Sequence, residues 1–595
     1  MKWPRLAAAL SVMAAMALLS PASFGAWREP GGQALNVDPK RTSNGPDVAE
    51  VGGVPYASWA EYDGQHFPVH VARIESDGKW HIVGGPLNSA TVAPDAQRTS
   101  IAAVGSTPYV AWAENVGKEG GQLRVGRLEG DGSWHLVSGA IYGDPAGLPT
   151  DPDIAAVGAN PVPYVVWTEA DGGSARVRLA RLENGVWHLV GGPLYADLTK
   201  RNVAPRIAAV RDSAVPYVAW EEDAGDFGHR QVRVARLGTD DQWHLVGGLL
   251  DANPSKDAEA PSIAAVGGVI YVAWREDPGS RVARLGADGQ WHLVGDVAGL
   301  TGFRAGAIAG VNVVPYVVGE RDNQPRVARF GQDGKWHLVS GSLNAHPNTG
   351  GGATSVASIG GVPYVGFAIA GPGTKEQHVS RLEPDFLSQH AAPTQTGATL
   401  TTTARTFGLP FRIGFLYGGG FGQRTTTATA SVDSQTTTVT RTVSGLGPGT
   451  TYSYRPFAIA GIPAPLALGP LGTFTPDQTD PAISNATATS QRFTYTLSER
   501  ARVVFTIERK LPGRMVAGKC VKPTAQNANR PHCTRLKEVG SFAHRSPKGS
   551  STVRFDARVG TTKLAPGAYR ATLVATDPAG NASAPKHLAF TVPSG

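Results

Sequence analysis

The chain has 595 residues, 74 of them Gly and 44 Pro, and only 17% are charged; this is too long for one hydrophobic core and too rich in turn formers for a helical bundle or coiled coil. Its formal net charge of +7 is unevenly divided, because residues 27–392 carry 30 Lys and Arg against 40 Asp and Glu, whereas residues 393–476 carry 5 against 1 and residues 477–595 carry 18 against 7. An acidic first part is followed by a basic second part, and no stretch beyond residue 26 approaches the ~20 apolar residues of a membrane-spanning helix.

At the N-terminus, Lys2 and Arg5 precede an apolar run from Leu6 to Leu19 and small residues from Ser20 to Ala26. This is the pattern of a signal peptide over 1–26, cut near Ala22 or Ala26, and it places the mature protein outside the cytoplasm. The last residues, ending at Gly595, carry no anchor signal.

From residue 27 one phrase recurs. Its Tyr stands at Tyr56, Tyr109, Tyr164, Tyr217, Tyr271, Tyr316 and Tyr364, a spacing of 45 to 55 residues that implies propeller blades or a solenoid. In the clearest copy, four strands are read by alternation and turn chemistry at Ile263–Val266, Ile270–Trp274, Arg281–Leu285 and Trp291–Val294, with hairpins at Gly267-Gly268 and Asp288-Gly289. The Ala-rich first strand suits the crowded axis. A final Trp recurs at Trp80, Trp134, Trp187, Trp243, Trp291 and Trp336, and the seventh Tyr has none behind it. Trp27 supplies it: Trp27 to Asn36 echoes Trp80 to Asn88, so the N-terminal strand completes the last blade and removes the open edges of a linear stack. The fold class expected is all-β, a seven-bladed β-propeller over 27–392 closed by the N-terminal strand and followed by two β-sandwich domains.

Three repeated sets of polar residues invite a chemical reading. His81, His135, His188, His244, His292 and His337 follow the Trp of six different outer strands; they lie around the rim and cannot converge on one ion at ~2 Å. Glu61, Glu114, Glu169, Glu222 and Glu276 suggest the carboxylate pairs of glycosidases. However, His70, Arg124, Arg178, Arg233 and Arg281 open the following strand, so each Glu is expected to face its partner as a cross-strand ion pair. Arg321 and Ile369 break this set in blades six and seven. Arg73, Arg127, Arg181, Arg236, Arg284, Arg329 and Arg381 recur in every blade, as a shared packing role requires.

The turns Asp77-Gly-Lys-Trp80, Asp131-Gly-Ser-Trp134, Asp288-Gly-Gln-Trp291 and Asp333-Gly-Lys-Trp336, with Asp241-Gln-Trp243 and Asn184-Gly-Val-Trp187 as degenerate forms, make the blades resemble those of sialidase-like, Asp-box propellers. The resemblance spans about 365 residues and implies the fold. It departs in lacking the Ser before the Asp and the Thr before the Trp, and in counting seven blades where those sialidases typically have six. Neither an Arg-Ile-Pro signature nor a Tyr/Glu nucleophile pair is found, so the activity is not carried over. Function in propellers sits on loops around the channel, and the segments entering the inner strands vary most here. Asp47, Arg98, Asp153, Arg206 and Arg304 at this mouth are the candidate ligand-binding residues, for a polar ligand such as a sugar or as ordinary loop polarity.

Residues 393–476 are Thr-rich, and Leu446-Gly-Pro448-Gly-Thr450-Thr-Tyr452 resembles the Leu-x-Pro-x-Thr-x-Tyr signature of fibronectin type III domains. Residues 477–595 end in Ala575-Thr-Asp577-Pro-Ala-Gly-Asn581, which is similar to the last strand and turn of bacterial immunoglobulin-like domains. The two cysteines of the chain, Cys520 and Cys533, fall here, and in an exported chain they are expected to form a disulfide.

No catalytic, metal, cofactor or nucleic-acid motif stands out, so neither a metal, a cofactor nor a nucleic acid is expected. The expectation is an exported, non-enzymatic binding or adhesion protein. Its propeller recognises a polysaccharide or surface protein, and its basic sandwiches associate with anionic cell-wall polymers by counterion release or only keep the chain soluble. The alternative is a glycoside hydrolase or lyase acting on polysaccharide at the channel mouth, marked by a nonrepeated acid pair or Tyr/Glu pair within about 10 Å there, buried and without an Arg partner; a third possibility is a structural spacer.

Overall fold

The computed structural model describes residues 26–88, 95–115, 121–143, 147–171, 174–195, 200–223, 229–295, 300–344, 349–371, 373–430, 435–460 and 467–594; the signal-peptide pattern, apart from its last residue Ala26, lies outside them. Two compact units part after Pro384.

The first unit is a seven-bladed β-propeller. Its sheets are four-stranded, antiparallel and ordered as the chain runs; blade 1, for example, comprises Ser43–Val51, Val54–Glu61, Val69–Ile74 and Trp80–Ile82. The seventh blade joins Gly351–Ile359, Val362–Gly371 and Thr374–Glu383 to the N-terminal strand Ala26–Arg28, with Trp27 opposite Leu382. Each inner strand packs on the next, and the seventh packs on the first, so the ring closes as the stray Trp27 predicted.

The repeat residues hold blade to blade. Trp59, Trp112, Trp167, Trp220 and Trp274 are fully buried in cores shared between neighbours, such as the one joining Tyr56 and Val71 to Ile101 and Trp112. At about 25 cal/mol per Å² over the ~200 Å² of an indole, each burial contributes on the order of 5 kcal/mol before entropy is counted. The outer Trp residues do a second job. Trp134, Trp187, Trp291 and Trp336 donate their indole N–H to Val83, Val137, Val246 and Val294 of the preceding blade at 2.8, 3.0, 2.9 and 2.8 Å, and Trp27 reaches Val339 at 3.1 Å. Gly191 has φ +73°, and a Cβ there would lie 2.6 Å from the Trp243 indole nitrogen, so side chains are excluded where the indole crosses.

The repeated Arg residues each stand directly opposite the repeated Tyr, as Tyr56 to Arg73 and Tyr364 to Arg381. The rim histidines stay apart: His81, His292 and His337 each hold the Asp of their own turn at 2.9 Å. In blade 4 the Asp of this turn is Asp240, which accepts the Gln242 N–H and holds His244. Asp241, read from sequence as that Asp, instead occupies the Gly position at φ +55°.

The second unit is two β-sandwiches. Asp385–Thr394, Gly397–Arg405 and Thr436–Val443 form one sheet of the first, facing a six-stranded sheet built on Arg412–Tyr417 and Tyr452–Ile459. The boundary drawn at 392 and 393 thus falls inside a strand. Tyr452 accepts the Gly447 N–H with its hydroxyl at 3.0 Å. The second sandwich sets Ile483–Ala488, Arg492–Leu497 and Gly549–Arg554 against a five-stranded sheet centred on Ala501–Val516, around Phe493, Phe505, Phe542, Phe555 and Phe590. Tyr569 pins its own corner by donating to the Ala565 carbonyl at 2.7 Å. Cys520 and Cys533 form the expected disulfide. Among the described residues no helix is long and apolar enough to cross a membrane.

Candidate active site

The repeated Glu residues are structural. Glu61, Glu114, Glu169, Glu222 and Glu276 are buried. Glu114, Glu169 and Glu276 pair with Arg124, Arg178 and Arg281 at 3.2, 2.9 and 3.3 Å, and Glu222 pairs with Arg233. The register corrects the expected geometry. Each of these Arg residues stands opposite the buried Trp, as Arg281 does to Trp274, and reaches Glu on the diagonal. In blade 1, His70 stacks on Trp59 at 5.7 Å, leaving Glu61 to accept the Trp59 indole N–H and the backbone N–H groups of Val37 and Asp38 at 2.9, 2.8 and 2.7 Å. Glu169 and Glu276 likewise accept the backbone N–H groups of Gly143 and Ala252 at 2.6 and 2.9 Å, so these buried, paired carboxylates hold the loops leading into their blades.

Five residues were named at the mouth. Asp47, Asp153 and Arg206 occupy one repeat position, just before the inner-strand Val48, Ile154 and Ile207, which Ser100, Ser262 and Ser355 fill in other blades. This position ties blades together: the Ile101 N–H donates to Asp47 at 2.9 Å, the Ile154 N–H to Ser100 at 3.3 Å, the Ile207 N–H to Asp153 at 2.8 Å and the Ile308 N–H to Ser262 at 3.0 Å. Burial pushes Asp47 up to about 7, with the Asp153 charge adding to the shift. Burial also raises Asp153, against the lowering charge of Arg206.

Just outside this ring, every inner strand breaks register: between Asn44 and Asp47, Ala96 and Thr99, Thr150 and Asp153, Val203 and Arg206, Glu259 and Ser262, Ala305 and Ala307, and Ala353 and Ser355. Such bulges re-aim side chains at a rim. Arg98 lies in the second bulge and pairs with Asp151 of the third at 3.1 Å. Protein mass around it, then the charges of Arg206 and Arg275, hold its guanidinium below the ordinary range.

The decisive asymmetry lies one residue beyond the position that holds the buried aromatic in six of the second strands and Gly319 in blade 6. That position reads Ala60, Ala113, Thr168, Glu221, Arg275, Glu320 and Ala368 around the ring. It faces away from the structural Glu, and only blades 4, 5 and 6 place charge there. Arg304, the fifth named residue, joins this side. Arg230 Nη1 lies 3.6 Å from Glu221 and 2.9 Å from Glu259, while Arg304 lies 3.6 Å from Glu259 and 3.5 Å from Glu320. Arg275 donates to the Ala305 carbonyl at 2.8 Å. A cleft of about 510 Å³ opens beside these residues, lined by His229, Asp257, Glu259, Arg275, Asp277 and Arg304 but not by Glu221.

Glu221 differs from its neighbours. It is 6% exposed and accepts the Ala260 N–H at 2.6 Å, from a bulge residue held at φ +50°. Burial pushes its pKa above the usual carboxylate range and the Glu259 charge adds to this, against the Ala260 N–H and Arg230. Because both carboxylates reach the same Arg230 nitrogen, they are separated by at most those two contacts laid end to end. This is an upper bound for one oxygen of each carboxylate and leaves room for the ~5–5.5 Å of retaining glycosidases. None of Glu221, Arg230, Glu259, Arg275 or Glu320 was singled out from sequence; for Glu221, Arg275 and Glu320 the signal was a broken repeat position in the second strand, and Arg230 and Glu259, on other strands, carried no such signal.

Elsewhere, Asp477, Glu499 and Asp577 bring three carboxylate oxygens within 4.8 Å of one another, with Asn581 donating to Asp577 at 2.8 Å and to the Asp477 carbonyl at 2.9 Å. Burial, then the other two charges, raises Glu499.

No family model matches the chain, and no curated protein matches it in sequence. Solved structures resemble it in fold. A Trypanosoma rangeli sialidase with the inhibitor DANA is 9% identical, covering 87% of this chain and 92% of that one, with a TM-score of 0.36. An exo-beta-1,3-galactanase from Phanerochaete chrysosporium is 10% identical over 76% and 100%, with a TM-score of 0.31. The polysaccharide lyase Uly1 is 10% identical over 57% and 90%, with a TM-score of 0.39. At such identities the likeness speaks to fold. The expectation of a non-enzymatic binder is corrected toward the hydrolase or lyase alternative: the solved structures named above are carbohydrate-acting enzymes, and the mouth carries a nonrepeated pair of acids, Glu221 and Glu259; the pair is not free of arginine, as that alternative had required, because Arg230 lies against both and Arg304 against Glu259.

Proposed function

We propose that the protein is a secreted glycoside hydrolase acting on polysaccharide, with its active site on the blade 4 to 6 side of the channel mouth. Glu221 is the proton donor and Glu259 the nucleophile or base. The carrying observation is Glu221 itself, a buried carboxyl at a position that breaks the repeat, biased toward its protonated form, with a second carboxylate in reach. As the glycosidic C–O bond breaks, Glu221 gives its proton to the leaving oxygen, and Glu259 meets the positive charge developing on the sugar ring. Arg230 holds the two carboxyls in one frame. The signal-peptide pattern and the disulfide support export. The Tyr452 corner supports a fibronectin type III-like first sandwich, and the Asp577 to Asn581 turn supports an immunoglobulin-like second one.

The test is turnover by the full-length protein on a panel of neutral and acidic polysaccharides, reading both new reducing ends and the ultraviolet absorbance of unsaturated ends. The reading predicts reducing ends without unsaturation, lost by about 10²–10⁴-fold in Glu221→Gln. Unsaturated products would identify a lyase instead. Activity on any substrate that survives both Glu221→Gln and Glu259→Gln would remove the site from these residues.

A further inference from the structure

Strand Ala501–Val516 is bonded to Gly567–Thr576 only from Arg502 to Arg509, yet it stays paired with His532–Ser546 out to Arg514. Beyond Arg509 the hairpin runs past the end of its own sheet as a ribbon. Lys519–Val521 adds a short third strand at the tip, and the Cys520–Cys533 disulfide ties the outer strands together across Gly513. The ribbon is therefore cross-linked where a bare hairpin would fray.

Residues 509–537 contain eight Lys and Arg and no Asp or Glu. Lys519, Lys522, Arg530 and Lys537 are exposed. Among the described residues none of the eight is in an ion pair, the nearest pair being Glu508 with Arg570. Arg509 stands directly opposite Lys537, a like-charge cross-strand pairing that costs stability until an anion lies between them. The Arg535 Nε is buried without a hydrogen-bond partner. Cations fall on both faces, since Lys510 and Arg514 alternate with Arg509 along the strand.

We propose that this disulfide-clipped ribbon is a binding arm for a linear anionic polysaccharide, whose carboxylate or sulfate groups complete the unpaired cations along 509–537. A glycan is favoured over nucleic acid because the ribbon contains no Phe, Tyr or Trp on which bases could stack. It is favoured over a membrane because Met515 is the ribbon's single exposed large apolar side chain, too little for insertion. The arm lies outside the hydrolytic site and is read by binding alone.

The experiment titrates the full-length protein with polygalacturonate across a salt series. The expected result is binding that weakens linearly with log salt. Lys519→Glu, Lys522→Glu and Arg530→Glu together should weaken it at least ~10-fold and flatten the salt slope, with the thermal melt unchanged; Lys522→Gln with Arg530→Gln serves should the reversals fail to fold. Arg558→Glu, Lys563→Glu and Lys586→Glu, exposed cations of the same sandwich outside the ribbon, should leave binding within about twofold. Equal loss in both triples overturns the arm. Tighter binding to a DNA duplex or to phosphatidylserine vesicles than to polygalacturonate overturns the glycan.

Discussion

Glu221 and Glu222 are sequence neighbours with opposite fates. Glu222 is neutralised by Arg233, whereas Glu221, on the opposite face of the strand, lies against the Ala260 N–H of blade 5 and is raised by burial. A raised donor stays protonated to higher pH, so the alkaline limb of the pH–rate profile should lie above the ordinary carboxylate value of about 4.3 and vanish in Glu221→Gln; an alkaline limb unchanged by that substitution argues against the assignment. Asp47 gives a stability test of the same physics. Its folded-state pKa of about 7 lies above the unfolded ~3.9, so the folded state binds more protons between these values and stability falls as pH rises from about 4 to 7. Asp47→Asn keeps an acceptor for the Ile101 N–H and cannot ionise. Its melting temperature, measured against the parent, should gain ground between pH 5 and pH 8, and a constant difference would show that Asp47 does not titrate there.

At the scale of the strand, the blades were legible because they carry large, repeated groups whose burial the packing demands: an inner Trp between blades in five of them and an outer Trp bonded to the blade before in most. Even Trp27 could be assigned to the last blade by what the seventh repeat lacked. Details that depend on register were not legible. The Glu to Arg pairing was read as facing when it is diagonal, and Asp241 was taken for Asp240, because an Asp can adopt the positive φ that Gly usually supplies. The acid pair was hidden for another reason: a repeat draws attention to what recurs, whereas Glu221 stands where other blades carry Ala, Thr, Arg or Glu and Glu259 stands in the variable entry to an inner strand. The outer-Trp contact makes a sharp prediction. Gly191→Ala forces a Cβ against Trp243 in a left-handed backbone conformation and should destabilise the propeller by about 1–3 kcal/mol in urea unfolding, whereas Gly192→Ala, also at positive φ but with nothing within 4 Å, should cost less.

On the scale of the molecule, cores that share no residues imply separate unfolding steps: the blade cores lie in the propeller and a Phe-rich core lies in the last sandwich. The ribbon belongs to that last core only at its base, so its disulfide acts locally. Closing 13 residues of chain contributes about 3 kcal/mol by the chain-entropy argument, and all of it should fall on the sandwich that carries the bridge. Scanning calorimetry of Cys520→Ser/Cys533→Ser is therefore expected to lower one transition and leave the propeller transition in place, since two-state behaviour does not extend across independent cores. A uniform shift of every transition would mean that the units unfold as one. The outcome also bears on the arm, because a ribbon loosened by losing its clip while the propeller stays folded should bind polygalacturonate more weakly without losing turnover on short, uncharged substrates.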